Sequence, residues 1–183
     1  MNRRQLLKNS VFTAIGLGLS PGIIMSLESC AKERPSSDDP LYFNEEEFDT
    51  LWLMANIILP KTETPGAIEA GVPLFMDKLY GEFLEDDEKN KFQAGLKNFM
   101  ATCENENGEG FLDLDKEAQI SYLEKLDNAG AEEEFFKSSK QIILWAYFTS
   151  EAGMRSMNYL PVPGRYNGCI SIDGEEKNIV GNR

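Results

Sequence analysis

Apolar residues recur along most of this chain at three- and four-residue spacing, and strand-like alternation is scarce. The pattern predicts helices. Asn44 followed by Glu47 makes a capping-box start. The helix behind it carries Phe48, Leu51, Trp52, Ala55 and Ile58 on one side and ends before Pro60. A turn-rich loop over 61–71 follows, KTETPGAIEAG. Pro73 then falls in the first turn of a second helix, where its missing N–H costs little, and that helix is expected to pack Phe75, Leu79 and Phe83. Asp86 or Asp87 opens a third helix with Phe92, Leu96, Phe99, Met100 and Cys103 in one stripe, the clearest amphipathic face in the chain. Residues 104–110, ENENGEG, read as a polar loop. Asp115 caps a fourth helix with Ile120, Leu123 and Leu126. A fifth, from Glu132 to about Ser150, bears Phe135, Phe136, Ile142, Ile143, Trp145, Ala146 and Tyr147. It is apolar almost all round, which suits a central helix or one that faces a partner. From Gly153 onward the pattern is irregular. The expected fold is all-α: a compact bundle of about five helices with an irregular C-terminal tail.

The first thirty residues differ from the rest. A basic segment precedes Val11–Leu27, which is apolar and uncharged but interrupted by Gly16, Gly18, Pro21 and Gly22. A spanning helix wants about 20 strongly apolar residues. Residues 1–30 are therefore read as an export signal. Arg3-Arg4 followed by Gln5-Leu6-Leu7-Lys8 resembles the twin-arginine signal, whose translocon handles folded cargo; a general secretory signal containing two arginines is the alternative. Leu27-Glu28-Ser29-Cys30 resembles a lipoprotein processing site, with Glu28 departing from the usual small or apolar residue. Cys30 is thus a candidate for lipidation, against plain cleavage or retention. Residues 31–42 form a polar, proline-bounded tether, and 43–183 the helical domain.

Composition narrows the chemistry. The 183 residues include no histidine, which removes the commonest metal ligand and general base. Three cysteines, Cys30, Cys103 and Cys169, cannot supply a four-thiolate zinc or iron–sulfur site. The net charge of −13 repels a polyphosphate, so nucleic acid is not an expected partner. The acidic loop near Gly108 fails as an EF-hand. Glycine in the sixth position puts Leu114 or Lys116 in the twelfth, where a glutamate is needed. Carboxylate runs such as Glu45–Glu47 and Glu132–Glu134 sit at helix starts, where the dipole favours them. Cys103 and Cys169 are candidates for a disulfide in an oxidising compartment; a buried thiol plus an exposed one is the alternative.

Two segments stand out. Pro65-Gly66-Ala67-Ile68-Glu69-Ala70-Gly71-Val72 combines glycines and alanines that permit close backbone approach. Tyr159 through Gly168, with Pro163, Gly164, Arg165 and Tyr166, has a composition suited to an interface. Each reads either as a docking surface or as chain folded onto its own domain.

Together with Ala55-Asn56-Ile57-Ile58-Leu59-Pro60, Phe75-Met76-Asp77 and Glu151-Ala152-Gly153-Met154, these segments resemble the small subunit of gluconate 2-dehydrogenase, the subunit 3 family. The likeness spans 43–169. It implies a non-catalytic accessory subunit of a periplasmic, membrane-associated dehydrogenase. The catalytic partner would be an FAD-dependent large subunit of the glucose-methanol-choline oxidoreductase type, with a cytochrome c subunit carrying haem c in some complexes. No cofactor is expected on this chain, which has no C-x-x-C-H motif. The resemblance further implies co-export of the large subunit through the twin-arginine translocon and membrane association by a lipid or by the partner. A stand-alone periplasmic helical lipoprotein with an unrelated partner is the competing reading.

Overall fold

The computed structural model describes residues 39–129, 134–157 and 159. Among them lie six α-helices and no strand: α1 Glu45–Ile58, α2 Val72–Lys78, α3 Asp86–Asn107, α4 Lys116–Ala129, α5 Glu134–Thr149 and α6 Glu151–Ser156. A π-helical turn, Leu79–Phe83, extends α2. No described helix is long and apolar enough to cross a membrane.

The caps explain most of the boundaries. Asn44 Oδ1 accepts from Glu47 N at 2.9 Å, and Asn44 N donates to the Glu47 carboxylate at 3.3 Å, the reciprocal pair expected from sequence. Asp115 accepts from Ala118 N at 2.8 Å and starts α4. Gly71, at φ 72°, turns the chain into α2, and Gly108, at φ 81°, ends α3. Helix α3 thus runs through Asn107, and 104–107 is helical where a loop was expected. The C-terminal block also departs from expectation. Ser150 Oγ accepts from Gly153 N at 3.0 Å and caps α6, so residues past Gly153 are still helical.

Helix α5 packs against every other described helix and is the centre of the bundle. Phe136, Ile143, Ala146 and Tyr147 point from it into a core that also holds Phe48, Leu51, Met54, Ala55, Val72, Met76, Leu96, Phe99 and Leu123. Aromatic edges tie the layers together. Phe92 meets Phe135 at 5.2 Å between centroids, and Phe99 meets Tyr122 at 5.4 Å.

Helix α2 buries a different face from the one expected. Val72, Pro73, Met76 and Asp77 point inward, while Phe75 and Phe83 are 37% and 71% exposed. Two causes act together. The inward face is claimed by Asp77, which is 1% exposed. Its carboxylate accepts from the backbone N–H groups of Leu41, Tyr42 and Phe43 at 2.8, 3.1 and 2.9 Å. The π turn then shifts the register: Leu84 N donates to Leu79 O at 3.2 Å, five residues back. The extra residue in that turn passes the inward position to Leu84, which is half-buried, and swings Phe83 out. The hydrogen-bonded frame therefore begins at Leu41, ahead of residue 43.

Candidate functional site

The loop from Pro65 to Val72 is built by its own hydrogen bonds. Ala67 N donates to Leu59 O at 2.9 Å, Ala70 N to Gly66 O at 3.1 Å and Val72 N to Ala67 O at 3.0 Å. Gly66 and Ala67 are buried beneath it, Gly71 is half-exposed, and Pro65 and Glu69 face solvent. A Cβ on Gly66 would lie 2.6 Å from Lys61 N and 2.8 Å from Leu59 O. The backbone that Gly66 admits is thus the chain's own, at the end of α1.

Tyr147, on α5, donates its hydroxyl to Pro65 O at 2.7 Å. Immediately after it the chain turns into α6. Pro65, Glu69 and Ala70 on one side, and Glu151, Ala152 and Arg155 on the other, line one open depression of about 630 Å³. Two segments some eighty residues apart in sequence are therefore brought to one surface. Replacing Tyr147 with phenylalanine removes the link and leaves a partly buried carbonyl without this donor; a loss of about 1 kcal/mol is expected in chemical denaturation.

The depression is polar and charged at its rim. Lys61 pairs with Glu69 at 3.2 Å and Arg155 with Glu151 at 2.6 Å. Partial burial pushes the Glu69 carboxyl up, but its own backbone N–H, Lys61 and the Gly66 N–H outweigh this and hold it below the ordinary carboxylate value. A lowered folded value favours the native state above the ordinary carboxylate range, and that contribution fades as the pH falls through the lowered value. Glu69 is exposed, so the effect on stability is small. A carboxyl NMR titration should place its midpoint below the ordinary glutamate value, and Lys61→Ala should move it up.

The hydroxyls here are already used. Ser150 Oγ donates to Tyr147 O at 2.7 Å besides capping α6, and Ser156 Oγ donates to Gly153 O at 2.7 Å. No described group of three or more His, Cys, Asp or Glu residues is placed to hold a metal ion. Cys103 is a buried thiol, pushed up by desolvation. What the arrangement offers is a shaped, charged surface.

A family model, Gluconate 2-dehydrogenase subunit 3, matches residues 45–164. The chain belongs to that family. The match takes in all six described helices and both segments that line the depression. No curated protein and no solved structure matches the chain.

As a member of the subunit 3 family, the chain can be checked position by position against the sites read from sequence. Pro65, Glu69 and Ala70 lie at the surface depression, Gly66 and Ala67 under it, and Gly71 at the start of α2. Tyr159 is 43% exposed and follows α6, its N–H donating to Met154 O at 2.9 Å. Arg3, Arg4, Cys30, Pro163, Gly164, Arg165, Tyr166 and Cys169 lie outside the described residues. Sequence reasoning missed two features. One is Asp77, whose role depends on backbone donors some 35 residues away and leaves no local signal. The other is an aromatic surface. Phe75 on α2 meets Trp145 on α5 edge-on at 5.3 Å, and Trp145 and Phe148 remain 54% and 44% exposed. The signal for it was present in the all-round apolarity of the fifth helix.

Proposed function

We propose that this chain is the non-catalytic small subunit of a membrane-associated, periplasmic, FAD-dependent sugar or sugar-acid dehydrogenase. Its work is to stabilise the flavoprotein large subunit and to escort it through the twin-arginine translocon, addressed by Arg3 and Arg4. FAD, and haem c where a cytochrome subunit is present, belong to the partners. The family match over the helical domain is the observation that carries this reading. It is supported by the meeting of Pro65–Val72 and Glu151–Met154 at one surface, and by hydroxyls there that are engaged in helix capping rather than paired with a base. A lipid on Cys30 would supply the membrane attachment.

The test is a mild-detergent pull-down of the full chain from its native host, followed by a visible spectrum. A co-purifying protein with flavin absorbance is the expected result, and an Arg3→Lys/Arg4→Lys double variant should leave both proteins in the cytoplasm. A lone, colourless chain would refute the constitutive complex. Unchanged export of the flavoprotein with the double variant would refute the escort role.

A further inference from the structure

Asparagine followed by glycine is chemically labile in water. Glycine has no Cβ to hinder its backbone nitrogen or to restrict its dihedrals, so that nitrogen can attack the asparagine side chain. The sequence has the pair twice, Asn107-Gly108 and Asn167-Gly168. The second lies outside the described residues. The first closes α3, and both of its residues are exposed to solvent. In the reaction a bond forms between Gly108 N and Asn107 Cγ. The Cγ–Nδ2 bond breaks, and Nδ2 leaves as ammonia carrying the proton that Gly108 N gave up. The cyclic imide then takes up one water and opens to aspartate or isoaspartate. Water is the only co-reactant.

In the folded chain both reacting groups are occupied. Asn107 Nδ2 donates to Cys103 O at 2.9 Å and lies 3.5 Å from Cys103 Sγ. The amide is thereby drawn back over the preceding turn, the direction that helical side chains take, and away from Gly108. Gly108 N donates to Glu104 O at 2.8 Å. The nucleophile's own N–H thus satisfies one of the carbonyls that a helix end leaves over, and its φ of 81° belongs to that cap. Unwinding the last turn of α3 releases electrophile and nucleophile together. That turn has no buried side chain to fix it, since residues 104–108 are all exposed.

Conversion changes the turn that guards it. A carboxylate at 107 has no N–H to offer Cys103 O. It adds a negative charge at the helix end where the dipole disfavours one, in a segment that already carries Glu104, Glu106 and Glu109. An isoaspartate also lengthens the main chain by one carbon at the cap. We propose that Asn107-Gly108 is a deamidation site whose rate is set by opening of the last turn of α3, and that its product keeps that turn open. The end of α3 then works as a one-way timer that records how long the chain has spent frayed, whatever partner it has.

The experiment incubates the full chain at mildly alkaline pH and follows deamidation at position 107 by peptide mass mapping. Native and urea-unfolded parent are compared with Glu104→Gly, a change at an exposed position of the guarding turn. In urea, Asn107 and Asn167 should react at similar rates. In the native parent, Asn107 should react at least about tenfold more slowly, because only the open fraction is competent. Glu104→Gly should raise the native rate about threefold through lost helix propensity and leave the rate in urea unchanged. In Asn107→Asp, amide exchange at Gly108 should be faster than in the parent. A native rate within twofold of the unfolded one would show that the turn guards nothing. A slow native rate that Glu104→Gly does not move would place the protection elsewhere. An Asn107 that stays intact in urea while Asn167 reacts would mean that the site is inert. Unchanged exchange at Gly108 in Asn107→Asp would mean that the product does not hold the turn open. Each of these four results overturns the proposal.

Discussion

Replacing Gly66 with alanine is expected to destabilise the domain by about 3 kcal/mol. The obstacles are main-chain atoms: Lys61 N at 2.6 Å, Leu59 O at 2.8 Å and Pro60 C at 2.9 Å from the new Cβ. Backbone cannot step aside as a side chain can. Relief requires the loop to lift from the end of α1, which breaks the bond from Ala67 N to Leu59 O. That forfeits about a further kcal/mol, and it is included in the total. Gly71→Ala is the contrasting case. Nothing lies within 4 Å of its Cβ position, and the only cost is the left-handed φ of 72°, about 1–2 kcal/mol. Urea unfolding should rank the two in that order; a Gly66→Ala variant within 1 kcal/mol of the parent would show that the close approach is not maintained in solution. One practical result follows for partner binding. A Gly66 variant that loses its partner has first lost its loop, and Glu69 holds the same loop through the Gly66 N–H, so the exposed side chain of Pro65 is the position at which docking to this depression can be tested.

The second large effect belongs to Asp77. Asp77→Ala strands three backbone donors, from Leu41, Tyr42 and Phe43. The Phe43 bond is buried, while the other two are partly accessible to water. A buried donor left unpaired costs about 1–3 kcal/mol, so the expected loss is about 3–4 kcal/mol for the set. Asp77→Asn keeps one acceptor oxygen and should fall between alanine and the parent. Amide hydrogen exchange gives a local readout: in the alanine variant the 41–43 amides should lose protection before the helices do. Equal protection in variant and parent would mean that these donors have other partners.

Periodicity carried most of the fold because four of the helices obey it with few competing demands. The stripe Leu96, Phe99 and Cys103 is buried as its spacing predicts, and the capping box at Asn44 forms with both of its bonds. Helix α2 failed for a physical reason. A seven-residue helix offers too few turns to define a face by hydrophobicity, and its inward position is held by a carboxylate that periodicity counts as polar. The π turn then displaces Phe83, and nothing in LYGEF announces an i→i+5 register. At the candidate site, composition identified the Pro65–Val72 segment as unusual, but the meaning of its glycines was set by long-range packing. That packing brings Tyr147 onto Pro65 O across 82 positions of sequence. The aromatic face was half-legible. An all-round apolar helix announces more than one buried side, yet which rings stay exposed depends on where α2 crosses it.

The Asp77 contact holds main chain rather than side chains. What that contact itself requires of residues 41–43 is therefore their N–H groups. Leu41, whose side chain is 70% exposed, is free to become almost any residue without loosening the grip. Proline is the exception, because it alone arrives without a donor. At Leu41 the entry to this domain is in that sense permissive in composition and strict in backbone: drift in residue identity is tolerated there, while one imino acid is not; Phe43, buried and stacked on Tyr80, is held by its side chain as well.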